Sequence, residues 1–314
     1  MSPLLRDLGE FELIRQITAR FAQSPEVLVG PGDDAAVLAA ADGRVVVTTD
    51  LLLEHRHFRL DWSSGTDVGH KAAAQNLADV AAMGARPTGL FVGFAAPGSL
   101  DVTWALSLAD GLAAECARAG ASVAGGDVSS ADSVMLGITA LGDLAGRPPV
   151  LRSGARPGDV VVLAGSVGRA QAGLALLRAG LSGWEGLVGT HRRPRPPYRL
   201  GPTLAAAGAT AMCDVSDGLV QDLGHVAAAS GVRIDLASEA LGIDPEMRAA
   251  AAALGVNPLE WALSGGEDHS LVACLPPMAA VPSGCARIGT VLPGDGVTVD
   301  GNPHAGAGGW NHFG

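Results

Sequence analysis

The residues best equipped for chemistry are carboxylates set beside glycine, serine or threonine. Asp33-Asp34 follows Gly30-Pro31-Gly32 and precedes the apolar Ala35-Ala36-Val37, a turn that presents side chains at the mouth of a strand. Thr48-Thr49-Asp50, Gly126-Asp127 and Asp214-Val215-Ser216-Asp217 repeat the design, each expected at the end of a strand, and Asp79 near the end of a helix adds a fifth place. Adjacent anions repel unless a cation or solvent screens them. Hard cations such as Mg²⁺ take carboxylate oxygens and share them with substrate phosphates. Taken singly, each acid reads as a cap or a turn residue. Five such places in a chain whose only lysine is Lys71 read as a polyphosphate site, with metal ions supplying the positive charge. No G-x-x-x-x-G-K-[ST] loop is present, so nucleotide chemistry here would lean on arginine, backbone amides or metals.

The elements that must hold these acids can be read in order. An amphipathic N-terminal helix carries Leu13, Ile14, Ile17 and Phe21 on one side. Residues 44–49 predict a short strand ending at Asp50, and Thr66 caps a helix over 67–83 on which Lys71, Gln75 and Asp79 form a polar stripe. Strands are expected at 88–96 and 133–143, with an Asp101-capped helix ending near Gly120. Arg147-Pro148-Pro149 through Gly158 is the clearest boundary. Beyond it, strands at 159–164, 210–213, 232–236 and 270–275 alternate with helices at 169–180, 218–229 and 245–254. Residues 181–197, rich in Gly, Arg and Pro, read as a loop in which Arg192-Arg193-Pro194-Arg195 is either a solvated run or a phosphate-facing one. Without strict β-α-β alternation, the pattern predicts two α+β domains with mixed sheets and helices on one face. The expected domains are 1–148 and 149–314.

The 314 residues suffice for about two domains, and 32 acidic against 21 basic residues leave a formal charge of −11. That charge argues against a broad nucleic-acid or anionic-membrane partner. Cys116, Cys213, Cys274 and Cys285 are scattered with no C-x-x-C, which predicts neither a zinc site nor a disulfide framework and points to a reducing cytoplasm. The N-terminus shows no signal-peptide core, and no apolar run reaches the ~18 residues of a membrane span.

A set of motifs in fixed order then becomes recognisable: Leu8-Gly9-Glu10-Phe11-Glu12-Leu13-Ile14, GDDAAVL at 32–38, TTDLLLEHRHF at 48–58, NLADVAAMGARP at 76–87, GGD at 125–127, DVSDGL at 214–219, SGGED at 264–268 and Gly309-Trp310-Asn311-His312-Phe313. Jointly they resemble the thiamine-monophosphate kinase family, of the superfamily typified by aminoimidazole ribonucleotide synthetase. The resemblance implies an N-terminal ATP- and Mg²⁺-binding domain that also builds a homodimer, followed by a C-terminal α/β domain. It implies Mg²⁺ ligands at Asp34, Thr48, Thr49, Asp50, Asp79, Asp127, Asp214 and Asp217. Gly126, Asp127, Arg152 and Ser216 would contact ATP, and His57, Glu267 and Trp310 thiamine monophosphate. Two departures from the family pattern fall on the substrate side: His55 where glycine is usual, and His269 where tyrosine commonly follows GGED.

The residues themselves leave other readings open. His57 would otherwise be an ordinary loop histidine, Glu267 a turn acid, and Trp310 an anchor for the tail, although its ring also suits a cationic heterocycle. The implied reaction is in-line transfer of the γ-phosphoryl group of ATP to an acceptor phosphate. That oxygen is largely anionic near neutrality, with a second phosphate pKa of about 6, so no covalent nucleophile is expected. Two rivals stand beside it. One is another ATP-dependent synthetase of the superfamily. A selenide-activating member would carry a Cys near the N-terminal Gly-rich stretch, and a carbamoyl-dehydrating one would end in Cys. The other rival is a non-catalytic nucleotide- and metal-binding homologue, against which the full set of acids argues.

Overall fold

The computed structural model describes residues 4–31, 36–304 and 309. The chain divides into two compact units, residues 1–80 with 86–147, and residues 81–85 with 148–314.

In the first unit, helices α1 (Leu5–Leu8) and α2 (Glu10–Thr18) precede a small ribbon of β1 (Val27–Val29) and β2 (Val37–Leu38). Strand β3 (Val46–Leu53), helix α3 (Gly65–Ala82), strand β4 (Arg86–Ala96), helix α4 (Val102–Ala119), and strands β5 (Ser122–Ser130) and β6 (Met135–Asp143) follow. The sheet order is β3-β6-β4-β5, antiparallel except for the β4–β5 pair that α4 connects. One face buries Leu52, Leu90, Leu136 and Ile138, while Val47, Leu51 and Met135 on the other are exposed. Helices α3 and α4 cross at backbone contact. A Cβ on Gly69 would lie 2.0 Å from the Leu108 carbonyl oxygen, and one on Gly111 2.2 Å from that of Thr66. Ser64, rather than Thr66, caps α3: its hydroxyl accepts the Asp67 N–H while the Asp67 carboxylate accepts the Ser64 N–H, a reciprocal capping box. Asp101 caps α4, accepting from Thr103 and Trp104, and Gly120 ends it in the left-handed conformation.

Two further expectations for this unit are corrected. Asp50 and Asp127 do not end their strands but sit inside them, because pairing continues to Leu53↔Met135 on one side and Ala96↔Ser130 on the other.

The second unit holds β7 (Val160–Ala164), α5 (Arg169–Ala179), α6 (Glu185–Arg192), α7 (Leu200–Ala206), β8 (Ala211–Val215), α8 (Leu219–Ser230), β9 (Arg233–Leu236), α9 (Pro245–Leu254), α10 (Pro258–Ser264), β10 (Ser270–Leu275), β11 (Cys285–Leu292), β12 (Gly296–Val299) and β13 (Asn302–Pro303). Its mixed sheet runs β13-β12-β9-β11-β7-β10-β8, with only β12–β9 parallel. Helices α8 and α10 pack Leu219, Leu223, Val226, Ala262 and Leu263 onto Val161, Leu163, Cys213, Val272 and Ile288. Strands β8 and β10, at one end of the sheet, are buried at every residue, so that end is covered on both faces rather than on one as expected. Part of residues 181–197 is helix α6, not loop. Leu187 and His191 are buried, and Gly173 of α5 lets the α6 backbone approach so closely that a Cβ there would sit 2.2 Å from the Leu187 oxygen. Tertiary packing overrides the poor local propensity. Among the described residues, no helix is long and apolar enough to cross a membrane.

Candidate active site

In the second unit the antiparallel register of β8 and β10 pairs Asp214 with Leu271 and Val215 with Ser270. The residues leaving β8 and those entering β10 therefore meet at one end of the sheet. The Glu267 N–H donates to the Ser216 oxygen at 2.8 Å, and the His269 N–H to the Val215 oxygen at 2.9 Å. A Cβ on Gly266 would stand 2.5 Å from the Ser216 oxygen, which accounts for the second glycine of the SGGED motif. Glu267 (φ 67°) and His269 (φ 51°) both adopt the left-handed region, a costly conformation for residues with a Cβ. Between them, buried Asp268 accepts the N–H groups of Gly168 and Ala170 and so caps the start of α5. Burial pushes its carboxyl up to about 7.

This junction gathers Asp214, Ser216, Asp217 and Glu267. Buried Asp214 meets the His269 ring, Oδ2 to Nδ1 at 3.2 Å. Asp222, on the first turn of α8, accepts the amides of Ser216, Asp217 and Gly218 on one oxygen at 3.0, 3.1 and 3.1 Å. It holds the backbone that carries the two candidate ligand residues. Burial, and then the Asp214 charge, push its carboxyl up to about 7 despite those amides. A cluster of acids so disposed is the electrostatic setting that a divalent cation relieves, so the donor set fits Mg²⁺. Arg152 is exposed beside β8, where the neighbouring Leu151 oxygen accepts the Met212 N–H. Gly309 lies against the same loop, its Cβ position 2.5 Å from the Asp217 oxygen. Trp310 lies outside the described residues.

In the first unit, Thr48 and Asp79 are brought together. The Thr48 hydroxyl donates to Asp79 Oδ2 at 2.9 Å, joining β3 to α3 and preassembling two oxygens of the type a hard cation takes. Strand periodicity places Asp50 on the same face as Thr48 and turns Thr49 to the other, where its hydroxyl donates to the Ile138 oxygen at 2.9 Å. Asp127 is exposed on β5 after Gly126, whose Cβ would clash with the Val92 oxygen at 2.1 Å. Asp50 and Asp127 are not brought together. They occupy opposite edge strands of the sheet, three strand spacings or about 14 Å apart. Among the described residues, no three Asp, Glu, His or Cys side chains already form a metal-holding group. Asp34 lies outside the described residues.

His57 sits in a tight turn after β3. Its Nδ1 accepts the Leu53 N–H at 3.0 Å, so the neutral ring carries its proton on Nε2. His55, where the family pattern has glycine, adopts φ 68°, the left-handed conformation glycine takes at no steric cost. The thiols of Cys116, Cys213, Cys274 and Cys285 are all pushed up by burial, Cys274 to about 12, which leaves none activated as a nucleophile.

The sequence reading passed over Asp222 and His191. His191, buried on α6, approaches Glu267 with Nδ1 3.3 Å from Oε2. No local signal could have found that pair, because α6 itself was illegible. Asp222 was legible in principle, as an acid one turn into a helix whose entry is Ser-Asp-Gly.

Comparison with known proteins accords with this geometry. Residues 32–144 match the model of the AIR synthase related protein N-terminal domain, and 156–302 that of its C-terminal domain. The thiamine-monophosphate kinase of Mycobacterium tuberculosis is 51% identical over 315 aligned residues, covering 100% of this chain and 94% of that one. The crystal structure of the thiamine-monophosphate kinase of Stenotrophomonas maltophilia superposes with a TM-score of 0.83 at 32% identity, over 97% of this chain and 99% of the other. The structure of AaThiL complexed with AMPPCP and TMP does so with a TM-score of 0.82 at 34% identity, over 98% of each. Motifs, fold and full-length identity agree: the chain belongs to the thiamine-monophosphate kinase family.

Proposed function

We propose that this protein transfers the γ-phosphoryl group of ATP to the phosphate of thiamine monophosphate, giving thiamine diphosphate. The observation that carries the reading is the full-length relationship at 51% identity to a thiamine-monophosphate kinase. The AaThiL structure, which contains AMPPCP and TMP, supports a nucleotide and an acceptor in this fold.

In this reading Thr48, Asp50, Asp79 and Asp127 of the first unit, with Asp34, and Asp214 and Asp217 of the second hold several Mg²⁺ ions. Thr49, whose hydroxyl lies on the strand face opposite Thr48 and Asp50, belongs to the proposed set as well. Bound Mg²⁺ supplies charge neutralisation between two polyanions that would otherwise repel. Gly126, Arg152 and Ser216 contact ATP, the arginine offering a planar donor fork to phosphate. His57 donates from Nε2 toward the acceptor, and Glu267 faces its cationic portion. Trp310 stacks on the heterocycle. The acceptor oxygen is already anionic, so the side chains bind and orient and no general base is needed.

The exposed apolar face that carries Val45, Val47, Leu51 and Met135 supports a homodimer built on the four-stranded sheet. Four unpaired cysteines support a reducing, cytoplasmic setting. A phosphoryl-acceptor screen with ATP and Mg²⁺, read as ADP release, tests the activity. Thiamine monophosphate should be turned over and free thiamine should not. Efficient phosphorylation of free thiamine, or turnover of aminoimidazole precursors alone, would refute the proposal.

A further inference from the structure

Lys71 is the only lysine among 21 basic residues, and it is 2% exposed on α3, flanked by the buried Ala72, Ala73 and Ala74. Taking an ammonium out of water is expensive unless its protons are bonded. Its Nζ donates to the main-chain oxygen of His57 at 3.1 Å. The same turn carries three further hydrogen bonds of its histidines. His57 N–H donates to the Leu53 oxygen at 3.0 Å, its Nδ1 accepts the Leu53 N–H, and His55 N–H donates to the Phe58 oxygen at 2.8 Å. Phe58 anchors the turn in the core at 4% exposure. Elsewhere this chain uses arginine for its cations. Here it places a compact ammonium on a flexible stem.

We infer that Lys71 is a positioning residue for the acceptor side of the site. Its ammonium fixes the His57 main chain, and with it the direction in which the Nε2–H of the ring is presented. The inference rests on the proposed contact between His57 and thiamine monophosphate. It extends that contact to a buried helix residue that makes none itself.

The test is Lys71→Met, which keeps the length of the stem and removes the donor, beside Lys71→Gln, which restores a neutral donor. His57→Ala and the double variant complete a cycle. KM for thiamine monophosphate, KM for ATP, kcat and thermal stability are measured for each. Lys71→Met should raise KM for thiamine monophosphate about tenfold or more, the scale of losing a charged hydrogen bond, with KM for ATP within about twofold of wild type. Lys71→Gln should recover part of the loss. On the His57→Ala background Lys71→Met should add less than about twofold. If His57→Ala itself leaves acceptor KM unchanged, the assignment of His57 to the acceptor fails. If His57→Ala raises it and Lys71→Met does not, or if Lys71→Met raises both KM values alike or keeps its full effect without His57, the role of Lys71 is overturned. Failure of both Lys71 variants to fold would make the ammonium a core-stabilising group and overturn it equally.

Discussion

Replacing Asp222 with alanine removes the oxygen on which the amides of Ser216, Asp217 and Gly218 converge at 3.0–3.1 Å. The Gly218 amide is buried, so leaving it without an acceptor should cost the full desolvation penalty of about 1–3 kcal/mol. The other two are partly buried and can recruit water, at roughly 0.5–1.5 kcal/mol each. Relief of the crowding against Asp214 offsets part of the sum, so a net loss of about 3 kcal/mol is expected. Asp222→Asn keeps an acceptor oxygen in place without the charge and should lose less than about 1.5 kcal/mol. Urea unfolding at pH 7.5, without nucleotide or divalent cation, measures both through the midpoint at constant slope. Because the same oxygen sets the backbone of Ser216 and Asp217, Asp222→Ala should also raise KM for ATP at temperatures where it stays folded. An alanine variant within about 1 kcal/mol of wild type, or an asparagine variant as damaged as the alanine one, would refute the argument that hydrogen bonding to this oxygen organises the loop.

Asp50→Asn and Asp127→Asn should each fold normally and lose about 10²-fold or more in kcat, the scale of removing one element of transition-state charge stabilisation, and near-wild-type turnover in either would remove it from the site. Gly126→Ala forces a Cβ to 2.1 Å from the backbone oxygen of Val92, and should cost at least about 1–3 kcal/mol, while unchanged melting would show that β5 can yield. Asp268 is an acid whose native pKa is raised to about 7 from 3.8, so its contribution to stability is largest below pH 4 and is lost as pH rises toward 7. The stability advantage of wild type over Asp268→Asn should therefore shrink across that window. An advantage that grows with pH would show that the two amides hold the carboxylate ionised.

What the sequence determined by itself was local or covalently contiguous. Turn chemistry at Asp101 and Gly120 set both ends of α4, short apolar runs marked β7 and β10, and eight motifs in fixed order identified the family. Each signal lies within a few residues, where propensity, capping and strand period act. Decisions that depend on residues far apart in the chain were out of reach. Pairing with β6 carried β3 past Asp50 to Leu53, and the strand order placed Asp50 and Asp127 at opposite edges. Packing against Gly173 made a helix of a Gly- and Arg-rich segment, which set His191 beside Glu267. The β8–β10 register joined the DVSDGL and SGGED motifs, which lie some fifty residues apart, into one junction. The physical reason is common to all of these. A residue's neighbours across a sheet or between helices are fixed by how the whole chain buries its apolar surface, and that choice leaves no trace in the short window around the residue itself.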